Sequence, residues 1–299
     1  MKDGEPRREA TKRLERPGIS RKDFNKVVSA GLGILALEAT GVGIVLNHGI
    51  KNSPWQESSE RYPQEEALYG SEGVRLIDDI ERKINVVIPL PNTFQVTNIF
   101  ENNSRPPNDT WVIHELKALW EISTKLPSTF SLKEKSLLGI VRGNYSGFGG
   151  VSVQPRIAGV GILPLIVMFG PRSWETNQAS SEPGIWPNLN EEFKAVFAHE
   201  LTHKLTRADN ELLSRYAEIS GWKEEGGKWT YNGGESFIRI LMEKKRHPNH
   251  EGPEEDIAVA SMLYATVPNL WQRSWSSSDT NRFKFLGTTL FNGSAIWNE

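Results

Sequence analysis

The sequence predicts an α+β domain with a small mixed sheet and a mainly helical C-terminal part. Short β-branched runs at 86–90 and 162–169 alternate with stretches of helical periodicity in the first two thirds of the chain. From residue 189 onward, helix signals dominate. No repeat is visible, and a chain of 299 residues, 37% hydrophobic and 24% charged, suits one large domain.

The elements follow in order. Val74, Leu76, Ile77, Ile80 and Ile84 have helical spacing, and residues 86–90 form a β-like run ended by Pro91. Residues 102–109 are turn-rich. Residues 111–126 read as an amphipathic helix through Ile113, Leu116, Leu119, Trp120 and Ile122. Residues 135–142 read as a strand, and 147–153 as a glycine-rich strand or hairpin. The apolar run 162–169 is a third strand, with Pro164 placing one of its sides at a sheet edge. The loop at 171–188 is longer than a compact domain normally carries, which suits the border of a cleft.

Composition narrows the chemistry. A net charge of -2 supplies no basic field for nucleic acid. The absence of cysteine removes disulfides, thiol catalysis and cysteine-ligated zinc. Trp174, Trp186, Trp271 and Trp275 fall in irregular stretches and read as loop packing.

The N-terminal residues 1–46 form a separate unit. Residues 27–46 are apolar or small with Glu38 the one charge, a length of about 20 residues that can just cross a bilayer. Before them, Ser20-Arg21-Lys22-Asp23-Phe24-Asn25-Lys26 resembles the twin-arginine export signal, with Lys22 in place of the second arginine. The basic flank implies that everything beyond residue 50 lies outside the cytoplasm, exported or tethered through residues 27–46. Residues 47–70 read as a polar linker, and 71–299 as the folded domain.

One motif carries chemistry. His199-Glu200-Leu201-Thr202-His203 reads HExxH on a predicted helix at 189–206, with Asn188 or Asn190 as cap and Glu191 and Glu192 in the first turn. Four residues apart, His199 and His203 share one face and can hold one metal ion. Glu200 is then placed to take a proton from metal-bound water. A second HEL, His114-Glu115-Leu116, has Ala118 in the last position and reads as surface polar residues.

A catalytic zinc needs a third protein ligand. Thr206 and Asp209 break the longer HExxHxxGxxH pattern, so a later carboxylate is required: Glu218, Glu235, or one of Glu254, Glu255 and Asp256. Only the last group opens an amphipathic helix, with Ala258, Ala260 and Ser261 small enough to pack beneath the metal helix.

An apolar strand, HExxH, Gly221-Trp222, Trp229, then Glu255-Asp256-Ile257-Ala258-Val259 with Tyr264 and Pro268, resembles gluzincin metallopeptidases distantly related to the lethal-factor catalytic domain. The resemblance spans roughly residues 115–295. The segment from Asn281-Arg282-Phe283 to Asn292-Gly293 is similar to the way such domains end. The resemblance implies a zincin-like fold, Zn2+ as cofactor, Glu255 as third ligand and hydrolysis of a peptide or protein substrate. An extended substrate would pair with the strand at 162–169 where that strand is an edge, the competing reading being a buried central strand. Ile257 stands where the family has Phe, and Val259 where it has a second Glu. The family-type Tyr before the ligand is missing. His247 and His250 are read as a solvated loop, with oxyanion stabilisation as the competing role, and Tyr264 as core packing. The alternative function is a membrane-tethered scaffold of zincin fold with little or no turnover.

Overall fold

Apolar residues at three- and four-residue spacing build helix α1 (Ser58–Ile84), whose Val74, Leu76, Ile77, Ile80 and Ile84 are buried. The computed structural model describes residues 35–36, 42–46, 58–91, 94–98, 110–131, 138–143, 149–153, 156–157, 160–161, 165–169, 176–179, 185–244, 252–269 and 276–293. The helix bends at Gly70, which has φ of 66°. Its first part, up to Gly70, was expected to be linker. It is helical because Gln64, Glu65, Glu66, Ala67 and Leu68 are good helix formers, and Glu65 is buried.

Helix α2 (Ile113–Lys125) packs against α1 through Leu116, Leu119 and Ile122. Here the expectation for His114 and Glu115 is corrected. Glu115 is 1% exposed, accepts a hydrogen bond from the amide of Val112 and shares the one N–H of Arg142 Nε between its two oxygens, at 2.8 and 3.0 Å. A glutamate in the first helical turn can fold back onto the free amides there. This one also reaches a cation on the neighbouring strand, so it is an internal brace.

Strands β1 (Leu35–Ala36), β2 (Val42–Leu46) and β4 (Phe94–Asn98) form one antiparallel sheet. Those two N-terminal segments are the described part of the expected membrane segment, and they are extended. Residues 1–34, which include the twin-arginine-like motif, lie outside the described residues. Among the described residues no helix is long and apolar enough to cross a membrane.

The main sheet is mixed. Strands β3 (Val86–Val87), β5 (Leu138–Gly143) and β9 (Leu165–Phe169) run parallel, and β6 (Gly149–Val153) lies antiparallel on β9, in the order β3-β5-β9-β6. The expected edge position of 162–169 is therefore corrected. From Leu165 to Phe169, β9 pairs on both sides, while Pro164 lies outside the described residues. Among the described residues the outer strands are β3 and β6. Two short ladders complete the β structure: β7 (Arg156–Ile157) with β8 (Val160–Gly161), and the hairpin β10 (Trp222–Glu225) with β11 (Lys228–Tyr231).

The C-terminal part is helical: α3 (Leu189–Ala208), α4 (Asn210–Ser220), α5 (Phe237–Lys244), α6 (Pro253–Thr266) and α7 (Ser277–Phe285), the last running into a wider turn at Leu286–Leu290. Helix α3 lies between the sheet, along β6, and α6. The fold is thus α+β with a small mixed sheet, as the sequence predicts.

The Glu115–Arg142 pair joins α2 to β5 with both side chains almost fully buried. Replacing Glu115 with Ala is expected to lower unfolding free energy by about 3–5 kcal/mol, because it strips a buried guanidinium of its carboxylate. Urea denaturation checks this, and a loss below about 1 kcal/mol would contradict it.

Candidate metal centre

Helix α3 starts where Asn188 accepts a hydrogen bond from the amide of Glu191 at 3.0 Å, with Glu191 and Glu192 in the positive first turn. Its apolar residues Phe193, Phe197 and Leu201 enter the core. That burial fixes the helix rotation and sends His199 and His203 together to the side facing α6. Their rings meet edge to face, 4.6 Å between centroids at 84°, with the Nε2 atoms 3.0 Å apart.

The first turn of α6 comes to meet them. Pro253 occupies an opening helical position and Glu254, Glu255 and Asp256 follow in the first turn. Glu255 Oε1 is 3.4 Å from His199 Nε2, and Glu255 Oε2 is 3.2 Å from His203 Nε2. His199, His203 and Glu255 thus form a group able to hold a metal ion, with one atom from each lying within 4.8 Å of the others. The two helices approach closely because Ala258, Ala260 and Ser261 lie buried on α6. One expectation is corrected here: α6 is not amphipathic, since every residue from Asp256 to Ala265 is buried.

Asp256 fixes the placement of that turn. Its carboxylate receives hydrogen bonds from Tyr216 Oη at 2.5 Å, Trp222 Nε1 at 2.9 Å, and Arg282 Nε and Nη2 at 2.7 Å each. Neither Asp256 nor Arg282 is exposed at all. One side chain thereby ties α6 to α4, β10 and α7. The hairpin reaches the site through Gly221, which ends α4 at φ of 89° with no room for a Cβ beside Gly233.

Electrostatics at the site follow from burial. Desolvation, opposed by His203, pushes the Glu200 carboxyl up to about 7. For His203 burial acts downward, but the carboxylates of Glu254 and Glu255 win and raise it to about 9. Burial and then Arg207 bring Lys204 down to about 7. Glu254 Oε1 lies 3.3 Å from His203 Nδ1 and accepts a hydrogen bond from Arg207 Nε at 2.7 Å.

The remaining expectations sort plainly. Glu218 and Glu235 are exposed and stand outside the group. Thr206 bonds back to the carbonyls of Thr202 and His203, and Asp209 ends α3 while capping α4. Tyr264 is buried against Phe283 and Phe291, as core packing requires. Trp186 is buried with its Nε1 donating to Thr266 Oγ1. His247, His250, Trp174, Trp271 and Trp275 lie outside the described residues. Sequence reasoning assigned no role to Tyr216, Trp222, Arg282 or Arg207. Trp222 and Arg282 stood in segments that carry the resemblance, and a further signal for the first three was Asp256 itself, a charge in a helix with no polar face.

Four bonds of about 2.0–2.1 Å directed to the corners of a tetrahedron place neighbouring donors roughly 3.3 Å apart. The two Nε2 atoms are 3.0 Å apart, close to that spacing, and each lies 3.2–3.4 Å from a different oxygen of the Glu255 carboxylate, with one donor from each residue within 4.8 Å of the others. Two imidazoles and a carboxylate are also the donor types that zinc takes. Comparison with protein-family models, with curated proteins and with solved structures finds no match. The case for the site therefore rests on its geometry, which carries a proton linkage. Between pH 7 and 9 the metal-free site holds its proton on His203, and an ion bound at Nε2 must displace it. Affinity for a divalent metal ion is expected to fall about tenfold for each pH unit from 9 toward 7, with about one proton released per ion. Calorimetry in two buffers of different ionisation enthalpy measures both; a pH-independent affinity would contradict the linkage.

Proposed function

We propose that this chain is a zinc-dependent peptidase of zincin-like fold, with His199, His203 and Glu255 as ligands and Glu200 as general base. The observation that carries the reading is the convergence of the three donors at metal-ligand spacing, with Glu200 on the same helix as both histidines. Zinc, when bound, supplies a Lewis acid that polarises a carbonyl and makes water a better nucleophile.

The protein's own residues do the rest. Glu200, 6% exposed and raised to about 7, is poised to accept a proton near neutral pH. It takes the proton that the attacking water loses as the C–O bond forms, and passes it to the amine nitrogen as the C–N bond breaks. The substrate reading shifts from β9 to β6: among the described residues β6 is one of the two outer strands of the main sheet, and it lies along α3. An extended peptide added there would gain main-chain hydrogen bonds with little sequence demand. The twin-arginine-like segment supports action outside the cytoplasm, exported or membrane-anchored.

Two observations favour a scaffold with little turnover as the second reading. Val259, where the family has a glutamate, is buried among apolar residues, and Tyr264 is engaged in packing. The two readings part on Glu200→Gln. The peptidase reading expects hydrolysis of an unbiased peptide library to drop about 10²–10⁴-fold with zinc content unchanged. Equal hydrolysis by both proteins, or none by either, sinks it.

A further inference from the structure

We propose that Glu254, braced by Arg207, is the positioning residue for His203, holding its ring so that Nε2 presents a lone pair to the ion. This rests on the metal-binding reading of the site. The two imidazole nitrogens point to opposite sides of the ring. Nε2 of His203 faces His199 Nε2 at 3.0 Å and Glu255 Oε2 at 3.2 Å, so Nδ1 faces away from the ion's position. That Nδ1 is buried and makes no hydrogen bond, and Glu254 Oε1 stands 3.3 Å from it. A few tenths of an ångström turn this contact into a hydrogen bond.

Glu254 therefore cannot share the ion with Nε2, although it adjoins the ligand in sequence. On a helix, successive side chains diverge by about 100°. Glu255 accordingly reaches one edge of the His203 ring and Glu254 the other. Arg207 fixes the second carboxylate: it lies one turn beyond His203 on α3, and its Nε donates to Glu254 Oε1 at 2.7 Å. The same oxygen thus sits between the Nδ1 edge and a guanidinium. Glu254 is about a third exposed, so its carboxylate is held at modest desolvation cost. With Val259 buried, a carboxylate behind the ligand histidine comes here from the residue before Glu255.

Groups that hold the far nitrogen of a metal-bound histidine fix its tautomer and raise its basicity, and their loss typically costs about 10–100-fold in metal affinity. The test is the zinc dissociation constant of the full chain, read by chelator competition. Glu254→Ala is expected to weaken binding by about 10–100-fold. Glu254→Gln keeps an acceptor for Nδ1 and is expected to recover most of the loss, while Arg207→Ala gives a smaller one. The melting temperature of the metal-free protein serves as a control. A fall there with zinc affinity unchanged, or wild-type affinity in Glu254→Ala, would overturn the proposal. Should that variant not fold, nitrogen NMR of zinc-loaded wild type decides: the proton is expected on Nδ1 of His203, and a proton on Nε2 refutes the role. If the wild type binds no zinc, or Glu255→Ala binds it equally well, the metal reading fails and this role with it. Loss confined to Glu255→Ala overturns only the role of Glu254.

Discussion

The placement of one helical turn governs the site, and a buried carboxylate sets that placement. Asp256 accepts four hydrogen bonds from Tyr216, Trp222 and Arg282, on three different elements. Taking such a charge out of water costs several kcal/mol, and the guanidinium opposite offsets that cost only when the geometry is good. Its main yield is position. A slip of α6 by one residue would turn Asp256 by about 100° out of its donors and carry Glu255 away from the histidines with it. The ion pair and the proposed ligand set therefore stand or fall in the same register.

Three consecutive acidic residues thereby take three tasks. Asp256 points inward to Arg282, Glu255 toward both Nε2 atoms, and Glu254 toward the outer edge of the His203 ring and Arg207. Helix geometry separates them angularly, and small residues on α6 let the two helices close. The cost is a concentration of negative charge in one turn. The positive end of the α6 dipole and the cations Arg207 and Arg282 offset it. Glu200, on the neighbouring helix, feels the same field and is held near neutrality by burial above all.

The local chemistry was legible in the sequence; the long-range partners were not. HExxH, its helix and its caps follow from four-residue spacing and from Asn188, so the structure places them where periodicity does. Glu255 needed a family resemblance, because helix periodicity narrowed five carboxylates only to Glu254, Glu255 and Asp256. The pairing of Arg282 was beyond reach: the resemblance marked its segment, but one of 35 Lys and Arg residues had to meet Asp256, and nothing local says which. Glu115 misled for a related reason. A glutamate next to a histidine on an amphipathic helix looks solvated until the strand carrying Arg142 closes over it. Pro164 misled about the sheet because a proline near the head of an apolar run does not tell which edge of the strand, if any, is free.

The central claim is that α3 and α6 together present three donors to one ion. Anomalous diffraction at the zinc edge, from crystals of the full chain grown with zinc, tests it most directly. The account predicts one peak per chain, within about 2.0–2.2 Å of His199 Nε2, His203 Nε2 and a carboxylate oxygen of Glu255. A peak ligated by other residues, or none between these helices, would contradict it.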